Sequence, residues 1–368
     1  MSKNVYEELR TLLDQQPFGC PPGPGIIEIL ELLFSKEEAE VALGLTFAPL
    51  KVEVIAERAA VNLVNAAQRL ESLANKGVVF ARAKDGVMRY ALQPSLPMFE
   101  ASFWKGVHNE TTDKLSNLFE RYSSTLMTGV GGPTASFLRT IPVQEEIENE
   151  AGALPYERIY ELVDRAKMVA VNHCHCREMR NDPNCGAPRE ACMYFDAMAD
   201  FMIERGFGRP LTREEAKQKI READEAGLIH MVSNWQDQIN VVCACCRCCC
   251  SVLRTLTEFG NRHIMSQSAF SPVRDPGLCK DCRTCAEIRC PMKAIEITEE
   301  SYLFNAERCI GCGLCATGCP NDAISMKRTV VVSTPPVNAQ EWGLRLLTDH
   351  GRLEKFMELM TPKAKPVT

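Results

Sequence analysis

Two cysteine runs near the C-terminal end constrain this chain more than any other feature. The first reads Cys279, Cys282, Cys285 and then Cys290-Pro291; the second reads Cys309, Cys312, Cys315 and then Cys319-Pro320. Three thiolates at two-residue spacing wrap one face of a four-iron cubane, because the short loops turn successive sulfurs inward. The fourth cysteine of each run lies too far along to close its own cluster and ligates the other one. Two crossed sets follow: Cys279, Cys282, Cys285 and Cys319 for one [4Fe-4S] cluster, and Cys309, Cys312, Cys315 and Cys290 for the second. Zinc ribbons also use C-x2-C pairs, but they need two cysteines per knuckle rather than three and a Cys-Pro. The runs differ in one place. Four residues separate Cys285 from Cys290, where three separate Cys315 from Cys319. A one-residue bulge is expected in the longer loop.

On these motifs, residues 272–328 resemble a bacterial two-[4Fe-4S] ferredoxin domain, about a sixth of the chain. Each Cys-Pro is followed by a short helical stretch and a strand, at 292–297 and 322–326, with Tyr302-Leu303-Phe304 as a paired strand. Beyond Arg328, residues 330–332 read as one more strand and Pro335-Pro336 as a linker. Residues 340–359 read as a single docking helix, and 363–368 as a loose end.

Ten further cysteines fill the middle of the chain. A strand at 168–171 runs into His173, Cys174, His175, Cys176 and Arg177. Cys185 follows across a turn, and Cys192 is expected near the start of a helix over 189–205, where backbone donors favour anionic sulfur. Thr212-Arg213-Glu214-Glu215 is a capping box that opens a helix to about Ala226. Strands at 228–232 and 239–242 lead into Cys243, Cys245, Cys246, Cys248, Cys249 and Cys250. Vicinal exposed thiols oxidise, so this run implies a metal or cluster. A helix would put Cys243, Cys246 and Cys250 on one face; a strand would put Cys243, Cys245 and Cys249 together. Either way two groups of three result, and one cubane cannot take all six. Together with Cys174, Cys176, Cys185 and Cys192 they hold one or two further iron–sulfur clusters, non-cubane chemistry and zinc remaining open. His173 and His175 read as hydrogen-bonding neighbours of such a cluster, and Arg177 and Arg247 as compensating charge.

The first third begins with helices over 5–15 and 26–34, joined by a Pro- and Gly-rich connector holding Cys20, a spare thiol. Helices at 37–44, 52–59 and 62–75 then precede two strands, 78–82 and 87–92, around Lys84-Asp85-Gly86. Three helices and a hairpin resemble a winged helix-turn-helix, a family that usually reads DNA with its third helix. Arg69, Lys76, Arg82, Lys84 and Arg89 give only a mild basic bias, so a docking module is the better expectation. Helices at 112–126 and 155–166 and an extended segment at 139–143 lead into the middle.

The expected fold is α+β and multidomain: a winged-helix-like domain (1–98), an α/β cysteine-rich domain (99–270), a dicluster ferredoxin-like domain (271–328) and a tail with a docking helix (329–368). A net charge of −6 gives no bulk nucleic-acid signal. No stretch is apolar enough to span a membrane, and the N-terminus shows no secretory or twin-arginine pattern, so a cytoplasmic location is expected, with membrane association only through a partner. Nineteen cysteines with these spacings point to metal rather than disulfides. No dinucleotide fingerprint, Walker loop or catalytic triad stands out. The expected function is low-potential electron relay to or from a larger flavin- or metal-dependent oxidoreductase. A reductase built on an unusual middle cluster, and a redox-sensing DNA-binding regulator, are the alternatives.

Overall fold

The structure, a computed structural model, describes residues 4–147, 157–266, 268–298, 301–328 and 334–360. Helices α1 (Val5–Asp14), α2 (Ile26–Leu33) and α3 (Lys36–Ala42) are followed by strand β1 (Leu50–Lys51), α4 (Val52–Ala59), α5 (Leu63–Asn75), and strands β2 (Val79–Lys84) and β3 (Val87–Leu92). The strands form an antiparallel sheet in the order β1-β3-β2. α3 starts on a capping box: the Ser35 hydroxyl accepts from the Glu38 amide, and the Glu38 carboxylate accepts from the Ser35 amide. That buried carboxylate also takes Ser72 Oγ at 2.7 Å and Lys76 Nζ at 2.6 Å, tying α3 to α5. These partners, opposing the desolvation of burial, hold the Glu38 carboxyl below its ordinary value. A depressed carboxyl stabilises the fold above its unfolded pKa and loses that contribution as pH falls through the folded one. Glu38→Ala is therefore expected to cost about 2–3 kcal/mol at neutral pH. Urea melts of both proteins should show the gap narrowing below about pH 4.

α6 (Ser95–Glu100) and the long α7 (Glu110–Thr128) connect this unit to a seven-stranded sheet. Its remaining elements are β4 (Leu138–Ile141), α8 (Gln144–Ile147), α9 (Ile159–Arg165), β5 (Val169–His173), α10 (His175–Arg180), β6 (Glu190–Phe195), α11 (Asp196–Glu204), β7 (Gly208–Leu211), α12 (Arg213–Glu225), β8 (Ile229–Ser233), β9 (Val241–Cys245), α13 (Ser251–Thr257) and β10 (Met265–Ser266). The order is β10-β4-β8-β9-β6-β5-β7, antiparallel except for the β10–β4 pair. One expectation is corrected here. Residues 190–195 form a strand, not the start of a helix, and Cys192 pairs in register with Cys243 of β9. The segment is buried between β5 and β9, and pairing on both sides overrides its helix-compatible Glu, Ala and Met. β7, unread in the sequence, closes the far edge.

The ferredoxin region has β11 (Phe270–Arg274) paired with β14 (Ile324–Arg328), and β12 (Ile295–Ile297) paired with β13 (Tyr302–Phe304). Within the second cysteine run lies α14 (Leu314–Thr317). Its counterpart in the first run is a π-helical turn, Thr284–Arg289. A π turn takes in an extra residue without breaking the helical path, so the expected bulge is absorbed there. The residues read as a strand at 330–332 and a loose end at 363–368 lie outside the described ones. The C-terminal helix is in fact two, α15 (Ala339–Asp349) and α16 (Leu353–Met360). Gly351 breaks it in the left-handed conformation, while the Arg352 amide returns to the Leu347 carbonyl.

One hydrophobic core runs from Leu9 through Trp104, Ile229 and Leu253 to Leu314, so the units share an interior. Arg205 of the middle unit meets Glu71 of α5 through two nitrogens, at 2.8 and 3.1 Å, and Phe201 packs on Phe80. On the other side, Arg289 donates to the Asp224 carbonyl at the end of α12 and to the Leu314 carbonyl, and the Val143 amide donates to the Cys312 carbonyl at 3.1 Å.

Candidate iron–sulfur and thiolate sites

In the ferredoxin region, two small pockets divide the eight cysteines cleanly. One is lined by Cys290, Cys309, Cys312 and Cys315; the other by Cys279, Cys282, Cys285 and Cys319. Backbone amides already point at sulfur: Ala294 to Cys290 at 3.2 Å, Gly311 to Cys309 at 3.4 Å and Ala323 to Cys319 at 3.3 Å. Such donors suit thiolates that ligate iron. The donor sets and the amide bonds therefore fit a cubane at each set of four cysteines.

The two cavities differ in exposure. Cys282 is exposed, and Cys279 is partly so. Burial instead pushes the Cys312 thiol up to about 12. The loops follow suit. Gly311 sits in the left-handed region against Ser268 and the Phe270 carbonyl, where a Cβ would come within 2.5 Å. Its counterpart in the outer loop, Asp281, takes the same conformation with a side chain. Only the inner loop is pressed against the rest of the protein, so only there is glycine required.

The ten middle cysteines separate into two groups. β9 carries Cys243 and Cys245, and the chain then turns at 247–249 before α13. Neither a pure helix nor a pure strand runs through the cluster. Two groups of three still result, with different membership: Cys243, Cys245 and Cys250 on one side, Cys246, Cys248 and Cys249 on the other. The first trio joins Cys174, Cys176 and Cys192. Their thiols interact in a closed ring: Cys174 with Cys176 and Cys192, Cys192 with Cys243, Cys243 with Cys245, Cys245 with Cys250, and Cys250 with Cys176. Five of the six are buried and Cys243 is partly so. The adjacent interior strands β9, β6 and β5 bring them together, and a bulge between Asn172 and His173 re-aims the end of β5.

His175 stands beside this ring. Its Nε2 is 3.0 Å from the Glu100 carboxylate, and Glu100, His175 and Cys176 converge within 4.8 Å. His173 instead meets Glu178 at 2.9 Å, which also holds His108 at 2.7 Å. The second trio joins Cys185. All four thiols lie within 4.8 Å of one another, and Cys185–Cys246 and Cys248–Cys249 are each 3.7 Å apart. Hydrogen bonding to Cys249 draws the Cys246 thiol down to about 4 against the desolvation of burial, with the charge of Arg177 adding to it.

Arg177 lies between the groups. It is 1% exposed, donates to the Pro188 carbonyl at 2.7 Å and the Ala244 carbonyl at 2.6 Å, and feels Cys174, Cys192 and Cys245 of the ring and Cys246 of the tetrad. Arg247, expected to share this task, is exposed. Cys20 lies far off, buried under Tyr122 with its thiol pushed up to about 12 by burial. Glu100 was missed in the sequence, because nothing links it to cysteines about 75 positions away except the fold.

A 4Fe-4S binding domain model matches residues 302–325. Pyruvate synthase subunit PorD of Methanothermobacter marburgensis is 38% identical over 63 residues, 17% of this chain and 73% of that protein. The chain belongs to the [4Fe-4S] ferredoxin family. An uncharacterized ferredoxin of Methanocaldococcus jannaschii is 34% identical over 91 residues, 24% of this chain and 52% of that protein. Hydrogenase-4 component A of Escherichia coli is 30% identical over 99 residues, 26% of this chain and 45% of that protein. The chain spans about a quarter to a half of the length of the first curated relatives it matches. No solved structure matches the chain. The ferredoxin region is thus that of an iron–sulfur electron carrier, and among the described residues no helix is long and apolar enough to cross a membrane.

Proposed function

We propose that this ferredoxin-family protein is an electron relay that takes electrons at its exposed cubane and delivers them to a buried cluster in the six-thiol ring. The outer cubane is bound by Cys279, Cys282, Cys285 and Cys319, and the inner by Cys309, Cys312, Cys315 and Cys290. The observation that carries this is the placement of the inner cavity. Cys312 bonds to Val143, just past β4, and β4, β8 and β9 are adjacent strands. Two strand spacings, about 10 Å, therefore separate β4 from the cysteines of β9. The outer cavity faces solvent, where a partner oxidoreductase, flavin- or metal-dependent, exchanges electrons. The relatives named for pyruvate synthase and hydrogenase-4 support a partner of this class. So many reduced thiols suit a cytoplasmic setting.

Residues 36–92 are read as a winged helix used for docking rather than for DNA. The order of helices and strands supports the fold. Lys76 is engaged with Glu38, and the exposed start of α5 offers Leu63 and Val64 rather than cations. A second reading, a reductase, is favoured by one observation: the ring holds two thiols more than a cubane needs, beside the Glu100–His175 pair that could pass a proton. The ring's burial favours the relay.

The test is iron and acid-labile sulfide on anaerobically purified chain, with EPR after stepwise reduction. The relay predicts about twelve irons per chain, three four-iron clusters. It also predicts spin–spin broadening between ferredoxin and ring signals, and electron delivery only when a partner oxidoreductase is added. Turnover of a small molecule by the chain alone, or ring and ferredoxin signals that never interact, would rule the relay out.

A further inference from the structure

We infer that the tetrad Cys185, Cys246, Cys248 and Cys249 is a mononuclear tetrathiolate zinc site rather than a place for a fourth iron–sulfur cluster. The argument is geometric. Zinc–thiolate bonds of about 2.3 Å in a tetrahedron put neighbouring sulfurs about 3.8 Å apart. Cys185–Cys246 and Cys248–Cys249 are each 3.7 Å apart, and all four sulfurs fall within 4.8 Å of one another. Thiolates that ligate a cubane each bind a different iron and stand farther apart, with the inorganic core between them. Among the described residues no other four cysteines draw together this tightly. The ferredoxin sets instead line cavities.

The surroundings fit a structural metal. Residues 181–189 have no helix or strand, and the Cys185 amide bonds only back to the Asp182 carbonyl within the same turn. A metal joining Cys185 to the 246–249 turn would staple this loop, which links α10 to β6, against the turn that links β9 to α13. The tetrad rests on small apolar residues, Ala191, Ala223, Leu228 and Ala244. Four thiolates around a divalent ion carry two negative charges, and the buried guanidinium of Arg177 lies beside Cys246. All four positions are filled by protein, so the site is closed, as structural zinc sites are. Zinc also carries no electrons, so it would hold the ring in shape without joining the relay.

This inference stands apart from the relay reading, and its test reports on the two separately. Zinc and iron would be measured on the full chain, purified anaerobically from cells supplied with both metals. Zinc-edge absorption would give the ligand shell. One zinc per chain with four sulfurs at about 2.3 Å is expected. Cys185→Ser should lose that zinc and keep the iron, the sulfide and the ferredoxin EPR signals. Cys185→His should retain it, because three cysteines and a histidine still make a zinc site. Cys176→Ser, in the ring, should lose iron and keep zinc. A zinc-free chain would overturn the inference, whether the tetrad held a cubane or a single iron. Zinc with oxygen or nitrogen ligands, or zinc that persists in Cys185→Ser, would overturn it too. A low iron count with intact zinc would count against the relay alone.

Discussion

Arg177→Met is expected to strip metal from the middle unit while leaving the ferredoxin clusters in place. The side chain is almost wholly buried and donates to two backbone carbonyls, Pro188 and Ala244, that no other side chain reaches in the bonds described above. Each carbonyl left without its donor costs about 1–3 kcal/mol. The larger loss is electrostatic. Arg177 feels thiols of the ring and of the tetrad, and thiolate-bound metal makes both sites anionic. Removing one member of a buried charge pair costs about 3–5 kcal/mol, because the remaining charge has no compensation. Against a total stability of about 5–15 kcal/mol, this is enough to expel metal before the chain unfolds. Metal analysis should show the middle iron and zinc lost together, with the two ferredoxin EPR signals retained. Arg177→Lys should lose less, since an ammonium keeps the charge but cannot span both carbonyls in a planar fork. If Arg177→Met kept its full metal content, the guanidinium would be a packing element and not the counter-charge of the sites.

The division of labour among the cysteines shows where the sequence is readable and where it is not. The ferredoxin runs are local: three cysteines lie within seven residues, and the spacing itself states the proposed geometry. The two cavities divide their lining cysteines along the same crossed lines. The element order of residues 36–92 was also legible, because caps at Ser35 and Asn62 and the Asp85-Gly86 turn are local signals. The middle unit was not. Its ring is assembled from β5, α10, β6, β9 and the start of α13, and membership depends on strand pairing that no single segment specifies. Cys192 was misplaced because Glu, Ala and Met in its neighbourhood favour a helix locally, while burial between two strands decides otherwise. The run at 243–250 could be divided into two trios by either regular geometry. The actual division follows from a strand that stops at Cys245 and a turn after it, a boundary of one residue. Glu100 enters the site only through the packing of α6 and α10.

Removal of metal is expected to unfold the ferredoxin region selectively. Its own core cluster is small: Ile147, Ala269, Phe270, Ile295, Ala316, Ile324 and Met326, completed by Cys285 and Cys315, which are proposed as cluster ligands. A region of this size buries too little apolar surface to offset the entropy of ordering its chain, and metal binding supplies the difference. Without iron, Cys312 and Cys315 are left as neutral thiols with no ligand to hold. Burial holds Cys312 up near 12 and raises Cys315 as well, so neither ionises to draw in water or compensate for the lost bonds. The N-terminal unit has no such dependence: Leu9, Leu13, Leu30, Leu70 and Leu73 pack without a metal ligand among them. Chelation after ferricyanide oxidation should therefore expose 270–328 to hydrogen exchange and protease, with protection lost by several orders of magnitude. Amides of α1, α2 and α5 should keep theirs. The Arg289 anchor to α12 and the Val143–Cys312 bond are the contacts through which the loss would spread. The exchange rates of β4 and of the C-terminal turn of α12 should rise next, and those of β5 and β7, at the far edge of the sheet, last. Equal loss of protection across the whole chain would mean that the shared core is one cooperative unit, and that the clusters stabilise all of it rather than the ferredoxin region first.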